Sequence, residues 1–185
     1  MGFEESLIRF AAPTLAGLKV ANLYNYRFNS KAECLQQLHD MNMRLNSKGI
    51  FIELMKRKDD FYLIYVYRKT LLLRNLLEAD IQLFLKACSY RLEANLDSFI
   101  EQLKNRINSD AAFPHEIGVF LGYPLADVKA FIEKKGADCI FCGEWKVYND
   151  VSAARCTFCK LNHCKEIYVK VYNSGRNIYD MTVRA

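Results

Sequence analysis

Hydrophobic positions along the 185-residue chain change their spacing several times, and each change marks an element. Cys34, Leu38, Met41 and Leu45 recur at helical intervals behind Ser30-Lys31-Ala32-Glu33. That tetrapeptide is a capping box, in which the Ser hydroxyl and the Glu carboxylate satisfy backbone donors at a helix start. The pattern predicts a helix over about 31–47, with Gly49 supplying the left-handed residue that ends it. Residues 50–56 and 61–68 are rich in β-branched and aromatic types, and Arg57-Lys58-Asp59-Asp60 between them turns the chain, which predicts an antiparallel hairpin.

Leu73, Leu77, Ile81, Phe84 and Cys88 share one helical face, as do Leu96, Phe99, Ile100, Leu103 and Ile107, so two more helices follow. Pro114 and Pro124 stand where proline gives up no needed donor, and open short helices over about 114–121 and 124–135. Glu144 to Tyr148 reads as a short strand, and Asp150 caps a helix running through about Tyr172. Near the start, Pro13, Gly17 and small residues interrupt what would otherwise be a helix, either as a break between core elements or as a close backbone approach to a ligand. The expected fold is α+β: a small antiparallel sheet, made of the hairpin at about 50–68 plus a strand at about 144–148, packed by about six helices. Residues 1–136 form the expected main core, including the helical pair 114–135, with a cysteine-bearing strand and helix over 137–185 packed on it.

Composition narrows the class. Half of the residues are hydrophobic (51%) and aromatics are plentiful, as in a globular chain that buries a core without disulfide staples. The richest apolar runs, 61–66 and 71–77, fall well short of the roughly 18 residues of a bilayer helix, so no transmembrane segment is expected. Met1 to Phe10 carry Glu4 and Glu5 and lack the layout of a secretory signal, which makes the cytoplasm the expected compartment. Seven cysteines, an odd number without an export signal, point to reduced thiols or metal ligands over disulfides. The formal charge of +5 is concentrated in residues 129–185, where ten Lys or Arg face six Asp or Glu. Such a bias suits an acidic partner but lacks the dense clusters of a dedicated nucleic-acid binder.

Two constellations carry candidate chemistry. Cys139 and Cys142, spaced as a knuckle, are followed after thirteen residues by Cys156 and Cys159, then His163 and Cys164. Paired thiolates two residues apart suit a tetrahedral zinc site, and on a helix Cys156, Cys159 and His163 share a face. Set against zinc, the same cysteines serve equally as small apolar residues of a packed helix. The second is Ile117 to Phe131, whose apolar positions and Gly122 match the scaffold of a helix-turn-helix. Its second helix offers Lys129, with Lys134 and Lys135 after it, to an acidic backbone, yet little hydrogen-bonding capacity to base edges. His115 beside Glu116 has no nucleophile tied to it by sequence, and no phosphate loop or dinucleotide fingerprint is present.

Three segments together resemble the signature of an uncharacterised bacterial family, a domain of unknown function found mainly in anaerobic Gram-positive bacteria. They are Ala12 to Lys19, with Pro13, Thr14, Gly17 and Lys19; Phe113 to Val128, with His115, Glu116, Gly122, Tyr123 and Pro124; and Trp145 to Tyr148. The likeness spans nearly the whole chain, and Phe10-Ala11 stand where the family pattern often has His-Cys. The resemblance implies no activity. It suits an accessory role linked to redox or metal-handling partners, while the residues themselves lead to the expectation of a non-enzymatic binding or accessory protein, with zinc at the C-terminal cysteines as its specific form and a nucleic-acid-binding regulator using 117–135 as the alternative.

Overall fold

The structure, a computed structural model, describes residues 1–92, 95–109 and 112–184. Its largest sheet has three antiparallel strands in the order β1 (Ala21–Arg27), β3 (Phe61–Arg68), β2 (Ile50–Lys58). The hairpin of β2 and β3 follows the sequence pattern, with Ile52 opposite Val66 and a bulge between Leu54 and Lys56. The third strand is not the expected segment near 144–148. It is β1, in which Ala21 pairs with Tyr67 and Tyr26 with Tyr62. Its asparagines, Asn22 and Asn25, are poor strand formers, and tertiary pairing with β3 overrides them.

The helix α1 (Phe3–Leu15) runs straight through Ala11 and Ala12 and includes Pro13, correcting the expected interruption. Pro13 brings no N–H to the Arg9 carbonyl one turn back, and the helix ends at Leu15, after which Gly17 at φ 76° reverses the chain. The N–H groups of Leu18 and Lys19 then close on the Pro13 carbonyl. Helix α2 (Lys31–Leu45) starts as its sequence requires: Ser30 Oγ accepts from the Glu33 N–H at 3.1 Å, while Glu33 Oε2 accepts from the Asn29 N–H at 2.9 Å.

These elements belong to one compact unit, residues 1–72 and 163–185. Its core joins Leu7, Ile8, Ala11 and Leu15 of α1, Cys34, Leu38 and Met41 of α2, Ile52, Ile64 and Val66 of the sheet, and Ile178 and Met181 of a short last helix. Arg68 is buried in the same unit, 1% exposed. Its guanidinium donates to the carbonyls of Thr14 (2.6 Å), Leu15 (2.5 Å) and Val183 (2.8 Å), and burial pushes its pKa down.

The second compact unit comprises residues 73–162. The single helix expected through 73–88 is two, α3 (Lys69–Leu76) and α4 (Ala79–Ala87), with Glu78 extended between them. Leu72 and Leu76 are buried, and so are Ile81 and Leu85, whereas Leu77 is exposed. The step from 76 to 81 is out of phase with one continuous helix, and the break brings both apolar stripes inside. Helix α5 (Leu96–Asn108) follows as expected. The pair expected at 114–121 and 124–135 is shorter: α6 (Ile117–Phe120) is one turn, and α7 (Leu125–Glu133) ends before the left-handed Lys135. Two-residue strands β4 (Phe141–Cys142) and β5 (Lys146–Val147) form a separate sheet. The long helix α8 (Val151–Asn173) appears where predicted. With α9 (Ile178–Met181) the described residues hold nine α-helices, more than the six expected, and the class remains α+β. No helix among the described residues is long and apolar enough to cross a membrane.

Candidate functional site

The second unit contains a pocket of about 280 Å³, built by chain segments that lie well apart in sequence. The first contribution is the tight path from Phe113 to Pro124. Its one-turn helix is wholly buried, and Tyr123 N–H closes back on the Gly118 carbonyl at 2.9 Å after Gly122 turns at φ 74°. Gly118 has no alternative: a Cβ there would stand 2.6 Å from Val128 Cγ2. The close approach lets α7 press against α6 and directs Asp127, Val128 and Phe131 at the pocket.

The second contribution is the β4–β5 hairpin, whose placement depends on Asp127. That carboxylate is 4% exposed and every contact it makes is to the hairpin's end. Its Oδ2 accepts from Trp145 Nε1 at 2.8 Å, and its Oδ1 accepts from Tyr148 N–H (3.0 Å), Asn149 N–H (3.1 Å) and Asn149 Nδ2 (2.9 Å). Four donors on one buried acid are the arrangement that keeps a buried charge tolerable. They fix the indole of Trp145 as one wall. The indole meets Tyr123 at 5.2 Å in a tilted stack and Phe158 edge-on at 4.5 Å. Gly143 lies so close under Phe158 that a Cβ would come within 2.2 Å of its ring.

The remaining wall is His115, whose ring meets Phe131 at 5.0 Å, and Lys146, whose ammonium donates to the Gly136 carbonyl at 2.8 Å. Ile117, Cys142 and the two glycines, Gly118 and Gly143, complete the lining. Burial, aided by neighbouring Glu144, pushes the Tyr123 hydroxyl up to about 12, so the phenol is neutral at physiological pH.

The residues singled out in sequence thus fall into separate groups. Tyr123, His115 and Trp145 meet at the pocket. Glu116 does not line it; it is 8% exposed and accepts from Arg106 (3.2 Å) and Tyr90 (3.3 Å), while Arg106 also donates to the Cys88 carbonyl. Pro124 begins α7 and accepts from the Asp127 and Val128 N–H groups. Pro13, Thr14 and Gly17 belong to the other unit. Thr14 donates its hydroxyl to Asn22 at 2.7 Å and its carbonyl holds Arg68, Gly17 packs on the same guanidinium, and Lys19 is buried nearby in sequence. That motif is a helix end shaped around a buried arginine.

The cysteines divide as well. On α8 the buried positions are Ala154, Phe158, Leu161 and Cys164, and Cys156, Cys159 and His163 are exposed on another face. Cys142 is exposed and Cys139 half-buried. Among the described residues no group of three or more His, Cys, Asp or Glu is placed to hold a metal ion. Of the basic residues considered for nucleic acid, Lys129 lies over the Phe84 ring and Lys134 over the Tyr148 ring, and Lys135 follows the end of α7.

The roles of Asp127, Phe131 and Lys146 were not visible in sequence. The only available signal was that the motifs around Asp127 and Trp145 occur in one chain, and spacing does not say that one acid binds the other segment. Among comparisons with known proteins, a family model described as protein of unknown function (DUF3793) matches residues 7–182. No curated protein matches, and no solved structure does.

Proposed function

The chain belongs to the DUF3793 family of proteins of unknown function, so membership brings it no activity, and we propose from the geometry that it is a non-enzymatic binding protein whose site is the aromatic pocket of residues 73–162. One observation carries this reading. Motif residues from 113–128 and 145–148 converge on a single concave surface of ring faces and edges, held by a buried acid whose bonds all serve its shape. Apolar concavities with a few polar groups are where small molecules bind.

Trp145 is the only tryptophan, so incorporation of fluorotryptophan places a single fluorine reporter in the pocket wall. Titration with indole, a neutral probe, is expected to shift that resonance saturably. A signal that stays fixed up to the solubility limit of indole refutes the reading.

A second reading, zinc held through cysteines, draws on the pair Cys156 and Cys159, exposed about one helical turn apart on α8, with no third ligand brought to them among the described residues. Elemental analysis of chelator-free protein tests it, with less than about a tenth of an equivalent of zinc or iron counting against it.

A further inference from the structure

We infer that the pocket takes a planar, bicyclic aromatic acid, in preference to the corresponding neutral or cationic compound. The inference rests on the pocket being a binding site and adds its ligand class.

Size sets the first constraint. A dry protein cavity of roughly 150 Å³ holds benzene, and this pocket, at about 280 Å³, has room for a fused two-ring system with a small substituent. Shape sets the second. Tyr123 and Trp145 stand only 32° from parallel, and His115 presents its ring at 64° to Phe131, so the walls offer faces and edges to a flat molecule. Flat π systems gain most from such offset and edge-on neighbours.

Charge sets the third. Asp127 borders the pocket, but it is 4% exposed and its oxygens are already covered by four donors from the hairpin, so it has little to offer an ammonium. Glu144, the acid beside Tyr123, is not part of the lining. Lys146 is different. An ammonium has three N–H donors, and Lys146 uses one on the Gly136 carbonyl, which anchors it at the wall and leaves two for a ligand. His115 belongs to the same lining, and an imidazole carries at least one N–H donor. A carboxylate on the ring edge meets Lys146 in a charge-assisted bond formed against apolar walls, where such bonds are strongest.

The experiment uses the full chain carrying fluorotryptophan, with naphthoate and naphthylmethylammonium as matched probes at neutral pH. Naphthoate is expected to bind on the order of tenfold more tightly than the ammonium probe. Lys146→Met should abolish the difference between the two naphthyl probes, and Lys146→Arg should retain it. If indole binds but the two naphthyl probes are equal, or the ammonium is preferred, the ligand class is wrong and the pocket reading stands. Should indole leave the resonance fixed, the pocket reading falls and the ligand class with it, whatever the naphthyl probes do.

Discussion

Asp127→Asn is the substitution that most sharply probes how the pocket is held together. The amide keeps one carbonyl oxygen, and three of the four donors, the N–H groups of Tyr148 and Asn149 and the Asn149 side chain, all address the same carboxylate oxygen. That oxygen becomes the carbonyl, and the new NH₂ then faces Trp145 Nε1 across 2.8 Å, donor against donor. One bond to a charged acceptor, worth about 1.5–3 kcal/mol, is lost outright. The other three weaken, since charge-assisted bonds are roughly twice as strong as neutral ones. Relief from burying a charge offsets part of this, and the expected net destabilisation is about 2–4 kcal/mol. Urea unfolding followed through Trp145 emission measures it where it acts, because no other tryptophan contributes. The native emission should also shift to the red as the indole N–H turns to water, and indole affinity should fall. A variant within about 0.5 kcal/mol of the parent, with unchanged emission, would refute the claim that this carboxylate clamps the hairpin.

Three further outcomes are expected. Arg68→Met strands the carbonyls of Thr14, Leu15 and Val183 and should cost about 3–5 kcal/mol in denaturant unfolding followed by far-UV circular dichroism, with Lys unable to rescue it because it lacks the planar fork; a loss below about 1 kcal/mol contradicts the role given to it. Gly143→Ala drives a methyl into Phe158 and should cost about 1–3 kcal/mol and perturb Trp145, so a neutral effect on both counts against the packing described. Exposed Cys142, Cys156 and Cys159 should react with a thiol reagent well before buried Cys34, whose thiol burial pushes up from 9.0 to about 11. Because its folded pKa lies above its unfolded one, the stability it lends is complete below pH 9 and declines as pH rises toward 11. Cys34→Ser should flatten that alkaline decline, and an unaltered pH profile would assign it elsewhere.

Much of the fold was legible where a local rule and the tertiary structure agree. The capping box at Ser30, the hairpin at 50–68 and the long helix after Asp150 each carry their own start or stop signal. What escaped was fixed by partners remote in sequence. β1 is a strand because β3 offers it an edge, despite its asparagines. The split of α3 from α4 has no glycine or proline to announce it and follows from two apolar stripes out of phase. Pro13 reads as a breaker, yet α1 runs on through it to Leu15. At the pocket, His115, Tyr123 and Trp145 were noticed as motif residues, but their common purpose depends on Asp127, whose reach of eighteen residues to the indole no periodicity encodes.

The cradle around Arg68 also bears on the order in which the chain can mature during synthesis. Arg68 emerges from the ribosome long before Val183, which lies 115 residues further on and supplies one of its three short acceptors. Until then the guanidinium has no complete set of partners, and its strand cannot be sealed without leaving a cation short of an acceptor. Residues 73–162, bracketed in sequence by the two parts of the first unit, emerge before Val183 and take no part in this cradle, whereas the flanking unit waits for that residue. Nascent chains stalled before residue 183 should accordingly be protease-sensitive in the first seventy or so residues while the tryptophan-bearing part is already protected.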